Sequence, residues 1–178
     1  FEESEAAGYS VSISASGNTV AVGSPEYYNT GNYRDIGRVR LFDWTGTSWV
    51  QRGKHIEGID QYDEAGFGIS LSGDGNIVAV GAPNREQGES GTYYSGPANR
   101  LRNGSVRIFE WDGSSWMQRG NAIMDEHYEP HYPSENSRSG TNVTLSADGN
   151  AIAIGAGSND NGDHSGQVRL FDWNGSDW

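Results

Sequence analysis

The chain has 178 residues, a formal net charge of −12, 11% aromatic residues and 26 glycines. This is the size of one domain and the profile of short strands joined by many turns. So acidic a surface repels phosphate backbones and argues against nucleic acid as a partner. No run of about 18 apolar residues predicts a transmembrane segment, no signal peptide opens the sequence, and the lack of cysteine removes disulfides and thiolate zinc sites.

Residues 1–8 match the linker that ends in Asp63-Glu64-Ala65-Gly66, so the sequence opens inside a connection. From Tyr9 to Ser14 the residues alternate, with Tyr9, Val11 and Ile13 on one face and Ser10, Ser12 and Ser14 on the other. Period-two alternation predicts a strand. A turn at Ala15-Ser16-Gly17-Asn18 leads to a second strand, Thr19–Gly23. A long connection, 24–36, precedes a third strand at Gly37–Trp44, and Thr45-Gly46-Thr47-Ser48 turns the chain into a fourth at Trp49–Gly53.

The same order returns twice. Gly37-Arg38-Val39-Arg40-Leu41-Phe42-Asp43-Trp44 is matched by Gly104-Ser105-Val106-Arg107-Ile108-Phe109-Glu110-Trp111 and by Gly166-Gln167-Val168-Arg169-Leu170-Phe171-Asp172-Trp173. The second copy predicts strands at Phe67–Ser72, Asn76–Gly81, Gly104–Trp111 and Trp116–Gly120. The third predicts Thr141–Ser146, Asn150–Gly155 and Gly166–Trp173, and its fourth strand would begin at Trp178. The repeats divide the chain into 1–58, 59–132 and an incomplete 133–178. Four short antiparallel strands per repeat predict an all-β fold of β-propeller blades.

Phe67-Gly68 followed by Gly81-Ala82-Pro83 resembles the signature of the FG-GAP repeat family, found in the integrin α-chain propeller. Tyr9-Ser10 with Gly23-Ser24-Pro25, and Thr141-Asn142 with Gly155-Ala156-Gly157, are weaker copies at matching positions. The resemblance spans nearly the whole chain. It implies part of a seven-bladed propeller, at the cell surface or outside the cell, that binds a protein or glycan and is not an enzyme. Three blades cannot close such a ring, so further blades from the same or another chain are expected. Members often carry a D-x-D-x-D-G calcium loop between the first two strands. Here those turns read Ser14-Ala15-Ser16-Gly17-Asn18, Ser72-Gly73-Asp74-Gly75-Asn76 and Ser146-Ala147-Asp148-Gly149-Asn150. With one carboxylate or none, they fall short of the oxygen ligands calcium needs, and a plain turn accounts for them.

Strand parity puts every tight turn on one edge and the long connections 24–36, 54–64, 82–103, 121–138 and 156–165 on the other. Those connections hold eight of the nine tyrosines, all four histidines and 14 of the 24 acidic residues. Tyrosine offers large contact area with a polar tip, so Tyr27, Tyr28, Tyr33, Tyr93, Tyr94, Tyr128 and Tyr132, with His127 and His131, are the candidate ligand-binding residues. Packing of the loops onto the sheets is the alternative role for them. Asp160, Asn161 and Asp163 form an oxygen-rich string that is a weak candidate for calcium, and Asn103, Asn142 and Asn174 head sequons for glycosylation. Arg40, Arg107 and Arg169 recur two residues before Phe42, Phe109 and Phe171, which predicts cation–π packing. No nucleophile elbow or phosphate loop is present. The expected function is therefore recognition or adhesion through the long-loop edge. A structural subunit of a surface layer, filament or larger complex is the alternative, and a polysaccharide-active enzyme stands third.

Overall fold

The computed structural model describes residues 5–28, 35–84, 104–125, 137–157 and 166–178. Among them there is no helix, and every sheet is antiparallel. The first sheet contains β1 (Ser10–Ile13), β2 (Thr19–Ser24), β3 (Arg38–Trp44), β4 (Trp49–Gln51) and β5 (Ile56–Glu57). The second contains β6 (Ile69–Leu71), β7 (Ile77–Ala82), β8 (Ser105–Trp111), β9 (Trp116–Gln118) and β10 (Ile123–Met124), and the third β11 (Asn142–Leu145), β12 (Ala151–Ala156) and β13 (Gln167–Asp172). The first strands lie together, β1 against β6 and β6 against β11.

The expected fourth strand is corrected to two short pieces. β4 pairs with the end of β3 through Phe42↔Gln51, and β5 pairs with its start through Val39↔Ile56. Between them the chain bulges at Gly53, whose φ is 71°. β9 and β10 flank β8 in the same way around Gly120, with φ 74°. A bulge of this kind re-aims the residue beside it. Here it sends Arg52 and Arg119 out of their own sheets and into the next.

The two resulting joints are nearly identical. Arg52 Nη1 donates to the Gly75 carbonyl at 3.0 Å and Nη2 to Asn76 Oδ1 at 2.5 Å. Its guanidinium lies 5.0 Å from the ring of Trp111 and 5.4 Å from that of Trp116, while Trp116 Nε1 donates to the Arg52 carbonyl at 2.9 Å. Arg119 repeats every contact with Gly149, Asn150, Trp173 and Trp178 of the third sheet. Cation–π stacking and charge-assisted hydrogen bonds thus act on the same side chain. A Cβ on Gly53 would stand 2.5 Å from Trp111, so the approach requires glycine as much as the positive φ does.

Two apolar layers fill the spaces between sheets. Ala21, Val39 and Leu41 meet Ile69, Leu71, Val78, Val80 and Phe109 in the first. Ile77, Ala79, Val106 and Ile108 meet Val143, Leu145, Ile152 and Ile154 in the second. The two faces of β1 have different neighbours. Its serines face the second sheet, where Ser10 Oγ donates to the Gly66 carbonyl and Ser12 Oγ accepts from Leu71 N. Val11 and Ile13 are 65% and 61% exposed. A small hydroxyl lets two inner strands approach and supplies a partner to a backbone N–H that no strand reaches.

The turns between first and second strands are held by their own side chains. Asp74 accepts from Ser72 Oγ and from the backbone and side-chain nitrogens of Asn76, and Asp148 does the same with Ser146 and Asn150. These carboxylates serve the turn.

Candidate functional site

The described parts of the long connections meet at the edge where the first strands begin. Glu5, 3% exposed, precedes β1 and pairs with Arg38 and, at 2.5 Å, with Arg40. Burial alone would raise the pKa of the Glu5 carboxyl. The hydrogen bond and charge of Arg38, then those of Arg40, outweigh burial and hold it below the ordinary carboxylate range. Asp63 takes the matching place before β6 and accepts from the backbone N–H groups of Ile59 and Asp60. Asp125 is fully buried beside Gln167 and Arg169. Arg107 donates to the Glu57 carbonyl at 2.5 Å, and Arg169 to the Met124 carbonyl at 3.0 Å. The edge is thus a charge-paired platform.

A cleft of about 330 Å³ opens where the three first strands converge. Tyr9 and Phe67 lie with ring centroids 4.6 Å apart, and Thr141 and Asn142 also line the cleft. Gly68 and Ile69 line the floor between them. Gly68 is confined by its neighbours, since a Cβ there would lie 2.7 Å from the Gly140 carbonyl. The Tyr9 side chain is 55% exposed and Asn142 is exposed too. The Thr141 hydroxyl donates to the Arg138 carbonyl at 2.7 Å, and the Arg138 guanidinium lies 5.5 Å from the Phe67 ring. A partly exposed aromatic pair of this kind can stack on the apolar face of a sugar or an aromatic side chain.

Of the tyrosines singled out from the sequence, Tyr27 is only 8% exposed. Arg38 lies 3.8 Å above its ring and His55 meets its edge at 6.1 Å, so it packs the platform. His55 in turn reaches Glu57 Oε1 at 2.6 Å. Tyr28, next in sequence, is 48% exposed on the same edge. Tyr33, Tyr93, Tyr94, His127, Tyr128, His131 and Tyr132 lie outside the described residues, as do Asp160, Asn161, Asp163 and Asn103. Asn142 lines the cleft, whereas Asn174 sits in a turn where its Oδ1 accepts from Ser176 N at 2.9 Å and Asp177 N at 3.0 Å.

Sequence reasoning treated Tyr9, Phe67 and Thr141 as strand starts and as the first residues of the repeat signature, not as binding residues. Their signal was available, because the three occupy one repeat position and are not identical there. The arginine expectation holds for Arg107 over Phe109, at 5.2 Å, and Arg169 over Phe171, at 5.4 Å. The tryptophans, however, are engaged by Arg52 and Arg119 from the preceding sheet.

No family model matches the chain, and no curated protein matches it. Among solved structures the chain is similar to the crystal structure of "a putative 6-phosphogluconolactonase from Bacteroides uniformis ATCC 8492", with TM-score 0.42 and 15% identity. The match covers 89% of this chain and 38% of that one, so the chain spans well under half of that structure's length. That protein bears an enzyme's name, and the expectation that the present chain is not an enzyme is accordingly corrected and withdrawn. The physical reason is that repeated strand scaffolds host unrelated chemistries, so missing sequence motifs do not exclude catalysis. At a TM-score of 0.42 the likeness carries no argument for lactone hydrolysis here. Among the described residues no helix is long and apolar enough to cross a membrane.

Proposed function

We propose that the chain is a recognition module of the FG-GAP type, acting at the cell surface or outside the cell, whose three sheets are blades of a β-propeller. What supports the propeller reading is the repeated joint together with the convergence of β1, β6 and β11. The partner is a glycan or a protein surface held at the long-connection edge. One observation carries this: the Tyr9–Phe67 aromatic pair lines a cleft where the first strands begin, together with Thr141 and Asn142. Loops on a rigid scaffold are a common seat of binding.

The test is a glycan array and a panel of cell-surface proteins probed with the chain and with Tyr9→Ala. The substitution leaves the sheets intact, since the Tyr9 side chain is largely exposed. Loss of tenfold or more in affinity for a captured partner, about 1.4 kcal/mol, is expected. Binding unchanged by Tyr9→Ala would place recognition elsewhere. A second reading, a structural subunit of a larger assembly, is favoured by a different observation. Val168 and Leu170 on the outer face of the third sheet are 70% and 79% exposed.

A further inference from the structure

The joint between sheets has two halves. One is the arginine beside the bulge. The other is a receptor on the next sheet, made of a tryptophan pair, a turn carbonyl and a turn asparagine. The second and third sheets each present a filled receptor. The first sheet presents the same receptor with no arginine in it among the described residues.

Its geometry is already that of the filled sites. Trp44 and Trp49 lie 5.5 Å apart at 52°, against 5.3 Å and 53° for Trp111 and Trp116, and 5.4 Å and 54° for Trp173 and Trp178. Gly17 and Asn18 occupy the turn positions of Gly75 and Asn76. Trp44 and Trp49 are 41% and 46% exposed. A Cβ on Gly75 or Gly149 would strike the preceding sheet, whereas one on Gly17 would meet nothing. Val11 and Ile13 are exposed where their counterparts Ile69 and Leu71 are buried.

We infer that this face of the first sheet is a docking surface for one more repeat of the same kind, whose fourth strand closes in Gln-Arg-Gly. The arginine of that repeat seats on Trp44 and Trp49 and donates to the Gly17 carbonyl and Asn18 Oδ1. Its own carbonyl accepts from Trp49 Nε1. The occupant is specified by the two joints already present, which take this arginine and no other residue. A second copy of the chain is a poorer fit, because Arg52 and Arg119 are both engaged in joints of their own.

The repeat register provides the test. Glu5 matches Asp63, so a copy of residues 1–58 placed directly before the full chain restores the natural spacing at the new junction. Hydrogen exchange of the indole N–H groups is read by NMR. In the unextended chain, Trp116 and Trp178, whose Nε1 groups donate to the Arg52 and Arg119 carbonyls, are expected to exchange slowly and Trp49 fast. In the extended chain the original Trp49 is expected to slow tenfold or more, and Arg52→Gln in the added copy alone is expected to abolish the slowing. The inference is overturned if Trp49 exchanges at its former rate, including because the added repeat fails to fold, or if protection survives Arg52→Gln. It is equally overturned if Trp49 of the unextended chain becomes protected as concentration rises, since a second copy would then be the occupant.

Discussion

Glu5 concentrates the electrostatics of the platform in one side chain. Its carboxyl is held below the ordinary range by Arg38 and Arg40, so the folded state binds its proton less readily than the unfolded chain. The resulting stability is fully present above the unfolded pKa of about 4.3. It is lost as pH falls through the lowered folded value. Glu5→Gln is therefore expected to lower the denaturant midpoint at pH 7 and to flatten its decline below about pH 4. An unchanged midpoint at neutral pH would remove Glu5 from the account. Asp112 behaves differently, being exposed and lowered to about 2 by the backbone N–H groups of Ser115 and Ser114 and then by their hydroxyls. NMR titration should put its midpoint near that value, and a midpoint in the ordinary carboxylate range would mean the turn is open in solution.

At the scale of elements, the strands were legible and the joints were not. Tyr9 to Ser14 announces a strand because valine and isoleucine alternate with serine. Which face meets the following sheet was not legible, because a serine face reads as solvated. Ser10 and Ser12 instead hydrogen-bond the second sheet, and Val11 and Ile13 occupy the other face, as Ile69 and Leu71 do in β6. Arg52 was missed for a related reason. Its partners Gly75 and Asn76 lie more than twenty residues away, and no local period encodes a contact across two sheets. The recurrence of Trp49-Val50-Gln51-Arg52-Gly53 as Trp116-Met117-Gln118-Arg119-Gly120 was the available sign. Arg52→Ala removes the stacking and both hydrogen bonds, and the expected loss is about 2–3 kcal/mol. In a double-mutant cycle with Asn76→Ala the two losses should be clearly non-additive, and simple additivity would mean the joint does not act as a unit.

Across the whole molecule, scaffold and site separate along the repeat. Positions that recur, such as the tryptophan pairs and the bulge glycines, build sheets and joints. Positions that vary, such as Tyr9, Phe67 and Thr141, line the cleft. Much of the tyrosine-rich sequence lies beyond the described residues, so the candidate site was legible as an edge more than as a set of side chains. Tyr27 illustrates why: composition marks an aromatic, and only the fold reveals that Arg38 and His55 enclose it.

The most direct measurement is a map of backbone amide shifts on adding a glycan or protein domain captured in the binding screen. The account predicts perturbations at Tyr9, Phe67, Thr141, Asn142 and Tyr28, with the opposite-edge turns at Gly46, Gly113 and Gly175 unmoved. Perturbations centred on those turns, with the cleft residues silent, would contradict it.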